Sequence, residues 1–200
     1  MGITVELLAE AGYIPALMGM ASSFKDPAHP RGGWWTKEVY EKAQRRAKRL
    51  APKGLGHNKF LESMDVWLWV VAPRCWWQEA DTYRLTTKQS ESTMHTIMKR
   101  YLTQADFDVE LPVPYLNHLN GLICDKEFLT LKKLLPEGYL QGREWKVSYK
   151  VLMDIFNQRA KHRLPEWRSF CRQVSDQIGH PEYLPEVSVG GEDIPIPSNN

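Results

Sequence analysis

Apolar and polar positions in the first half of the chain follow two periodicities. Residues 4–9 are short and β-capable, and a glycine and a proline follow them, which predicts a first strand and then a turn or the start of a helix. Behind Thr36, apolar residues recur at helical spacing as far as Leu50, so Thr36 is expected to cap a helix. Residues 64–71 carry β-branched and aromatic side chains on both alternating faces. This pattern predicts a central strand that is covered on both sides.

The second half of the chain is dominated by helical patterns. Pro73 ends the central strand, and a helical segment with two tryptophans follows it. The polar run at 86–92 predicts a loop or the start of a helix. Apolar positions at helical spacing then predict two further helices, over residues 126–135 and 147–163.

The length and apolar content of the chain favour a single domain or one domain with a small appendage, and we interpret the chain as one domain. Its 200 residues are 42% hydrophobic, which is enough for one substantial core. We assign that domain to residues 1–178. Residues 179–200 are rich in proline and glycine and too poor in apolar side chains to fold alone, so they are predicted to form a tail.

Charge and cysteine content narrow the possible partners and compartments. The net charge of only +2 supplies no broad field for nucleic acid or anionic lipid. The basic stretch 42–53 is predicted to be the solvated face of an amphipathic helix, with a phosphate- or nucleic-acid-binding surface as the alternative. Three widely spaced cysteines and the lack of an apolar run of about 18 residues indicate a cytoplasmic protein without a membrane span.

Residues 56–95 concentrate ionisable and hydroxyl groups directly after the predicted central strand, a common location for ligand sites. The guanidinium of Arg84 could hold a phosphate through a charge-assisted fork. Ser90 and Ser92 offer hydroxyls, and Gln89 offers a donor and an acceptor for the edge of a nucleobase. The segment therefore predicts a site for an anionic, hydrogen-bonding ligand.

The same segment resembles a motif of the flavin-dependent thymidylate synthases, the ThyX family. That family has a GHxSxLEH element, an SR pair before a helix, and then RHRxxSxNExSxRY, and all three align with residues 56–95 without a gap. The residues that keep the type found in the family are Gly56, His57, Leu61, Glu62, Arg74, Arg84 and Ser92. Those that occupy family positions with a different type are Thr82, Tyr83, Thr87, Gln89, Ser90, Met94 and His95.

A second block extends the resemblance to about residues 4–175. The family has a Leu-Pro pair and, further on, a helix of the type WxxNxRxLxxFxxLR. Here Leu135-Pro136 precedes Trp145, and Leu152 and Arg159 stay in register with it, while Lys150 replaces an arginine.

The resemblance implies an α/β (α+β) fold with a central sheet flanked by helices, in a homotetramer whose sites lie between subunits. Members of the family methylate dUMP with a carbon unit from methylenetetrahydrofolate and a hydride that passes from NADPH through FAD. The implied partners are therefore FAD, the two co-substrates and a pyrimidine deoxynucleotide.

The resemblance also implies roles for individual residues. Ser92 and Arg84 would line the reacting pocket without a covalent role. The implied flavin-binding residues are His57, Glu62, Arg74 and Tyr83. The implied substrate-binding residues are Arg84, Gln89, Ser90, Ser92, Lys150 and Arg159.

Two functional hypotheses follow from the retained and the replaced residues. The first is a divergent enzyme that transfers a one-carbon unit to a pyrimidine deoxynucleotide, giving a methylated or hydroxymethylated product. The second is a protein of the same fold that binds a nucleotide or a partner without methyl transfer, because Thr82, Ser90 and Met94 replace groups that contact ligands in the family.

Overall fold

The computed structural model describes residues 2–26 and 33–187. Within these residues four strands form a sheet with the order β1-β2-β4-β3, in which all neighbouring strands are antiparallel. Its strands are β1 (Thr4–Ala11), β2 (Asp65–Pro73), β3 (Thr87–Ser90) and β4 (Leu140–Ser148). The helices are α1 (Tyr13–Ser22), α2 (Lys37–Leu50), α3 (Arg74–Ala80), α4 (Thr93–Thr96), α5 (Val113–Cys124), α6 (Phe128–Leu134), α7 (Tyr149–Arg159) and α8 (Pro165–Gln177). Short 3₁₀ helices span Lys59–Ser63, Gln104–Asp106 and Pro181–Tyr183. The predicted α/β (α+β) class is confirmed.

Strand β2 is central, as predicted, but only one of its faces is fully buried. Val66, Leu68 and Val70 point into the core and are completely buried, whereas Trp67 and Trp69 on the other face stay partly exposed. The prediction that both sides are covered is therefore wrong for the single chain. The sheet is antiparallel, and such sheets commonly cover one face. Because the side chains on the outer face are also apolar, the sequence of β2 shows no alternation of apolar and polar residues.

The polar run at 86–92 contains an edge strand, so its prediction as a loop or helix start is wrong. Residues 87–90 pair with β4 in register, with Thr87 opposite Lys146 and Ser90 opposite Arg143. Backbone hydrogen bonds to β4, and not apolar burial, hold this strand in place. Such a strand leaves no hydrophobic signal in the sequence.

The predicted helix over 147–163 begins later than the apolar spacing indicated. Trp145 and Val147 belong to β4, where they pair with Leu68 and Val66. Helix α7 starts at Tyr149, and the Ser148 hydroxyl caps it by accepting a hydrogen bond from the Val151 amide at 3.3 Å. Pairing with the central strand thus overrides the helical spacing at the first positions.

Four tryptophans form the centre of the core beneath the sheet. Trp76, Trp77, Trp145 and Trp167 are all completely buried, and Phe170 of α8 packs among them. The centroids of Trp76 and Trp167 lie 4.4 Å apart, and those of Trp76 and Trp145 lie 6.0 Å apart. Together they join α3, β4 and α8 into one body.

Residues between positions 97 and 139 form a second, smaller apolar cluster. Leu102, Phe107, Leu119 and Leu131 are its buried centre. The Asn120 side chain ties the connecting segment to α5, because its amide bonds both the amide and the carbonyl of Leu102, at 2.7 and 3.0 Å. This cluster supports the helices that follow the motif segment.

Helix α2 matches its predicted bounds and its predicted orientation. The Thr36 hydroxyl accepts a hydrogen bond from the Val39 amide, and Ala43 and Ala47 are buried against α1. Its cations face outward, and Arg46 also covers the exposed ring of Phe24 at 3.6 Å. Within the described residues, no helix is both long and apolar enough to cross a membrane.

The beginning of the segment predicted as a tail packs against the domain. Tyr183 and Leu184 are buried in the main core. The Glu10 carboxylate accepts hydrogen bonds from the Gly179 amide, at 2.7 Å, and from the Tyr149 hydroxyl. Residues 188–200 of the predicted tail lie outside the described residues, and the division at 178/179 stays a prediction.

Two glycines allow a matched test of this packing. Gly12 has a φ of 91°, and a Cβ there would collide with the carbonyl oxygen of Ser63. We expect Gly12→Ala to lower the free energy of unfolding by about 3 kcal/mol or more. Gly19→Ala, in open space within α1, should raise it by about 0.5–1 kcal/mol. Urea denaturation measures both, and equal effects of the two substitutions would contradict the described geometry.

Candidate functional site

A cleft lies between α1 and the segment that leads into β2. Its volume is about 620 Å³, within the usual range for small-molecule sites. His57 and Glu62, two residues predicted to bind flavin, line one wall, and Gly19, Met20 and Phe24 line the other.

Local backbone geometry explains why His57 reaches this cleft. Gly56 has a φ of 84°, which turns the chain before the short 3₁₀ helix. The Asn58 amide is buried and donates a hydrogen bond to the Ala51 carbonyl at 2.9 Å. Phe60 and Leu61 anchor the 3₁₀ helix in the core. The exposed imidazole of His57 is thereby held at the rim by a rigid turn.

Tyr83 and Arg159, both predicted site residues, meet in a hydrogen-bonded network beside α3. Arg159 donates to the Tyr83 hydroxyl at 3.0 Å and to the Glu79 carboxylate at 2.8 Å. The Trp167 indole donates to the same carboxylate oxygen at 2.9 Å, and the Tyr83 hydroxyl donates to Gln158 at 3.1 Å. Burial raises the pKa of Tyr83, so its hydroxyl is a neutral donor at pH 7. Arg159 is thus neutralised within the chain.

Arg74 bonds neither to the residues that line the cleft nor to the Tyr83–Arg159 network. Its guanidinium donates to the Leu135 carbonyl at 2.9 Å and lies 3.8 Å from the Glu137 carboxylate. The acids Glu79 and Asp81 have cationic partners of their own, Arg159 and Arg143 respectively.

Four of the remaining predicted residues lie in or next to β3, and the fifth, Lys150, lies in α7. Gln89 and Ser90 are exposed on this edge strand, and Arg84 is exposed in the turn before it. Ser92 is half-buried at the start of α4. Lys150, at the start of α7, lies 3.8 Å from Asp154.

Within the described chain the predicted residues form separate groups. The two that line the cleft, His57 and Glu62, sit on the 54–63 segment, whereas Tyr83 and Arg159 bond to each other between α3 and α7. Gln89 and Ser90 share a strand. Their assignment to flavin or substrate stays a prediction.

Sequence reasoning missed a group of charges beside the aromatic core. Arg143 of β4 and Lys88 of β3 both pair with Asp81, at 3.1 and 3.6 Å. The side chain of Lys88 lies over Trp145 and that of Arg143 over Trp77. Residues 86–90 are polar throughout, so no alternation of apolar and polar positions in the sequence could have found this group.

His162 borders the Arg159 network and is held in its neutral form. Arg159 lies 2.6 Å from one ring nitrogen, and the Leu164 amide donates to the other at 3.2 Å. Burial and the neighbouring Arg159 charge lower the pKa of His162, against a weaker opposing effect of Glu79.

The arrangement as a whole defines a class of protein fold. A four-stranded antiparallel sheet covers a helical layer on one face, and a smaller helical cluster follows the edge strand. No protein-family model matches this chain, and no curated protein matches it.

Solved structures identify the particular fold. Thymidylate synthase X (ThyX) from Helicobacter pylori, in a crystal structure with FAD and dUMP, matches with a TM-score of 0.75. The match covers 91% of this chain and 97% of that chain at 15% sequence identity. A flavin-dependent thymidylate synthase ThyX from the same organism, complexed with FAD and dUMP, gives 0.76 over 92% and 98% of the two chains at 14% identity. The protein has a ThyX-like fold, which confirms the resemblance at the level of architecture.

The environment of His162 gives the protein a testable dependence on pH. Its pKa is lower in the folded chain than the ordinary value of about 6.5, so the unfolded chain binds the proton more readily. The contribution of His162 to stability is therefore complete above about pH 6.5 and is lost as the pH falls below that value. The free energy of unfolding should therefore decrease as the pH falls from neutral to mildly acidic. We expect this decrease to be smaller in the His162→Gln variant.

The matched control is His118→Gln, on the exposed surface of α5. It should leave the decrease unchanged when urea denaturation is followed at each pH. A His162→Gln variant with the same pH dependence as the parent protein would show that His162 is not held neutral.

Proposed function

We propose that this protein is a divergent flavin-dependent enzyme of the thymidylate synthase type. It would transfer a one-carbon unit from methylenetetrahydrofolate to a pyrimidine deoxynucleotide such as dUMP, with NADPH as the reductant. The observation that carries the proposal is a ThyX-like fold in which the retained residues His57 and Glu62 line a cleft of about 620 Å³. A cytoplasmic location suits these substrates.

The residues around the cleft fit a flavin. Phe24 offers an exposed aromatic face, while His57 and Lys59 offer polar groups at the rim. Gly19 and Gly56 have open space beside their Cα atoms, so a flat ring can approach the backbone closely. When bound, FAD would supply the hydride chemistry, and the protein would orient the ring and exclude water from it.

The nucleotide would be held by the polar groups around β3. Gln89 can both donate to and accept from a base edge, and the hydroxyls of Ser90 and Ser92 can bond a phosphate or sugar. Arg84 is exposed and can contribute a charge-assisted fork. Lys150 keeps a positive charge, although it lacks the planar geometry of arginine.

An assembly of several copies would explain why these groups lie apart in one chain. The cleft and the β3 residues could then complete each other across subunit contacts. Trp67 and Trp69 leave partly exposed apolar surface on the outer face of the sheet, which would suit a contact between copies. A homotetramer is therefore part of the proposal.

Turnover by the purified protein tests the proposal. The assay combines dUMP or dCMP with methylenetetrahydrofolate, FAD and NADPH, and mass spectrometry follows the nucleotide. We expect a product that is heavier by one methyl or hydroxymethyl group. Bound flavin without turnover of either nucleotide would rule out the transfer reaction.

A second candidate is a ThyX-fold protein that binds a nucleotide or a partner without methyl transfer. It is favoured by the network in which Glu79 neutralises Arg159 and Tyr83 is hydrogen-bonded. It is also favoured by Met94, a largely exposed apolar side chain at a family arginine position. A colourless protein whose melting temperature ignores added FAD would support this reading, because a ligand that binds the folded state raises that temperature.

His57 provides a direct test of the cleft. Because its imidazole lines the rim, we expect His57→Ala to weaken FAD binding about 10-fold, which corresponds to about 1.4 kcal/mol. Quenching of flavin fluorescence measures the affinity. The control His118→Ala removes an exposed histidine from α5, away from the cleft-lining residues. Equal affinities for the two variants would show that the flavin binds elsewhere.

A further inference from the structure

Two half-buried cations lie side by side on the inner face of the edge strand pair. Lys88 is opposite Trp145, and Arg143 is opposite Ser90, so the two cations lie two rungs apart on the same face of β3 and β4. Their side chains are only 12% and 16% exposed. The Lys88 ammonium lies 4.8 Å from the centroid of Trp145. These cations are held at fixed positions by the aromatic core.

The charges around this pair do not balance. Among the described residues, the carboxylate that pairs with both cations is Asp81, at 3.6 Å from Lys88 and at 3.1 and 3.2 Å from Arg143. Their other hydrogen-bond partners, Gln141 and Thr86, are neutral. Two positive charges thus share one negative charge in a place where water has limited access.

The environment therefore favours a further negative charge. Burial lowers the pKa of Lys88, and the nearby Arg143 lowers it as well, while Asp81 opposes both effects. The indole faces of Trp77 and Trp145 offset part of the cost of burying the cations. An anion with more charge than one carboxylate would neutralise the pair more completely.

The carboxylate of Asp81 lies where such an anion can displace it. Its side chain is 49% exposed, so the carboxylate can turn into water. It caps the C-terminal end of α3, where the helix dipole disfavours a negative charge. The contact with the two cations is what holds it there.

We propose that Lys88 and Arg143 form a binding site for a phosphate group, with Asp81 as an internal competitor for the same two cations. The Arg143 guanidinium supplies a planar fork that matches phosphate oxygens, and Lys88 supplies a compact charge. Alternation along β3 places Ser90 on the same side as Lys88, where its hydroxyl can join the contact. None of these roles requires bound flavin or methyl transfer.

The test measures binding of inorganic phosphate by isothermal titration calorimetry at constant ionic strength. Asp81→Asn removes the competitor, and we expect it to tighten phosphate binding about 10-fold. Arg143→Gln and Lys88→Gln should each weaken binding about 10-fold or more. A gain of affinity in Asp81→Asn cannot arise from a loss of folding, so this variant keeps the test decisive.

Two control variants separate a built site from a general effect of charge. Asp176→Asn removes one exposed acid from α8, and Arg49→Gln removes one exposed cation from α2. Both should bind phosphate like the parent protein. The proposal is overturned if Asp81→Asn binds no more tightly than Asp176→Asn, or if Arg143→Gln binds as well as Arg49→Gln. In those cases the three charges are only a structural ion cluster.

A phosphate group can come from a nucleotide or from free phosphate, and competition distinguishes them. If dUMP displaces phosphate with at least about 10-fold higher affinity, and Arg143→Gln removes that advantage, the group belongs to a nucleotide. If dUMP and phosphate bind alike, the site takes free phosphate. Variants that lose phosphate binding at this site would keep the flavin cleft intact. A negative result for the phosphate site can therefore be distinguished from a negative result for the proposed enzyme.

Discussion

The buried tryptophans beneath the sheet are the constraint on which the rest of the molecule depends. Side chains of this size bury roughly 150–250 Å² each, so the four of them contribute roughly 600–1,000 Å² to the core. Their ring faces also fix three cations, since Lys88 covers Trp145, Arg143 covers Trp77 and Arg159 lies 5.0 Å from Trp167. The positions of these charges therefore depend on core packing together with pairing to Asp81 and Glu79.

The chain combines a ThyX-like fold with its own arrangement of charges. The aromatic core and the central strand form the frame of that fold. Positions 82, 83 and 94 carry Thr, Tyr and Met where the motif that the segment resembles has arginine or histidine. In this structure two largely buried cations lie at Lys88 and Arg143 and share Asp81. Arg159, in contrast, is neutralised by Glu79.

The features that could be predicted are those that leave a local periodic signal. Strands β1 and β2 and helix α2 have such signals, and the spacing of residues 56–95 indicated the architecture. Strand β3 could not be found, because backbone pairing with β4 defines it. The outer face of β2 was misjudged, since Trp67 and Trp69 resemble core residues in a pattern. The bridge from Asp81 to Lys88 and Arg143 joins three elements, and no sequence spacing encodes such a contact.

A crystal structure of the protein grown with FAD and dUMP tests the central claim most directly, namely that Lys88 and Arg143, which the aromatic core positions, bind the phosphate group in this ThyX-like fold. We expect flavin density in contact with His57 or Glu62. We also expect density for the nucleotide phosphate in contact with Lys88 or Arg143, with Asp81 turned towards solvent. Phosphate density beside Thr82 or Met94, with Asp81 still bridging both cations, would contradict it.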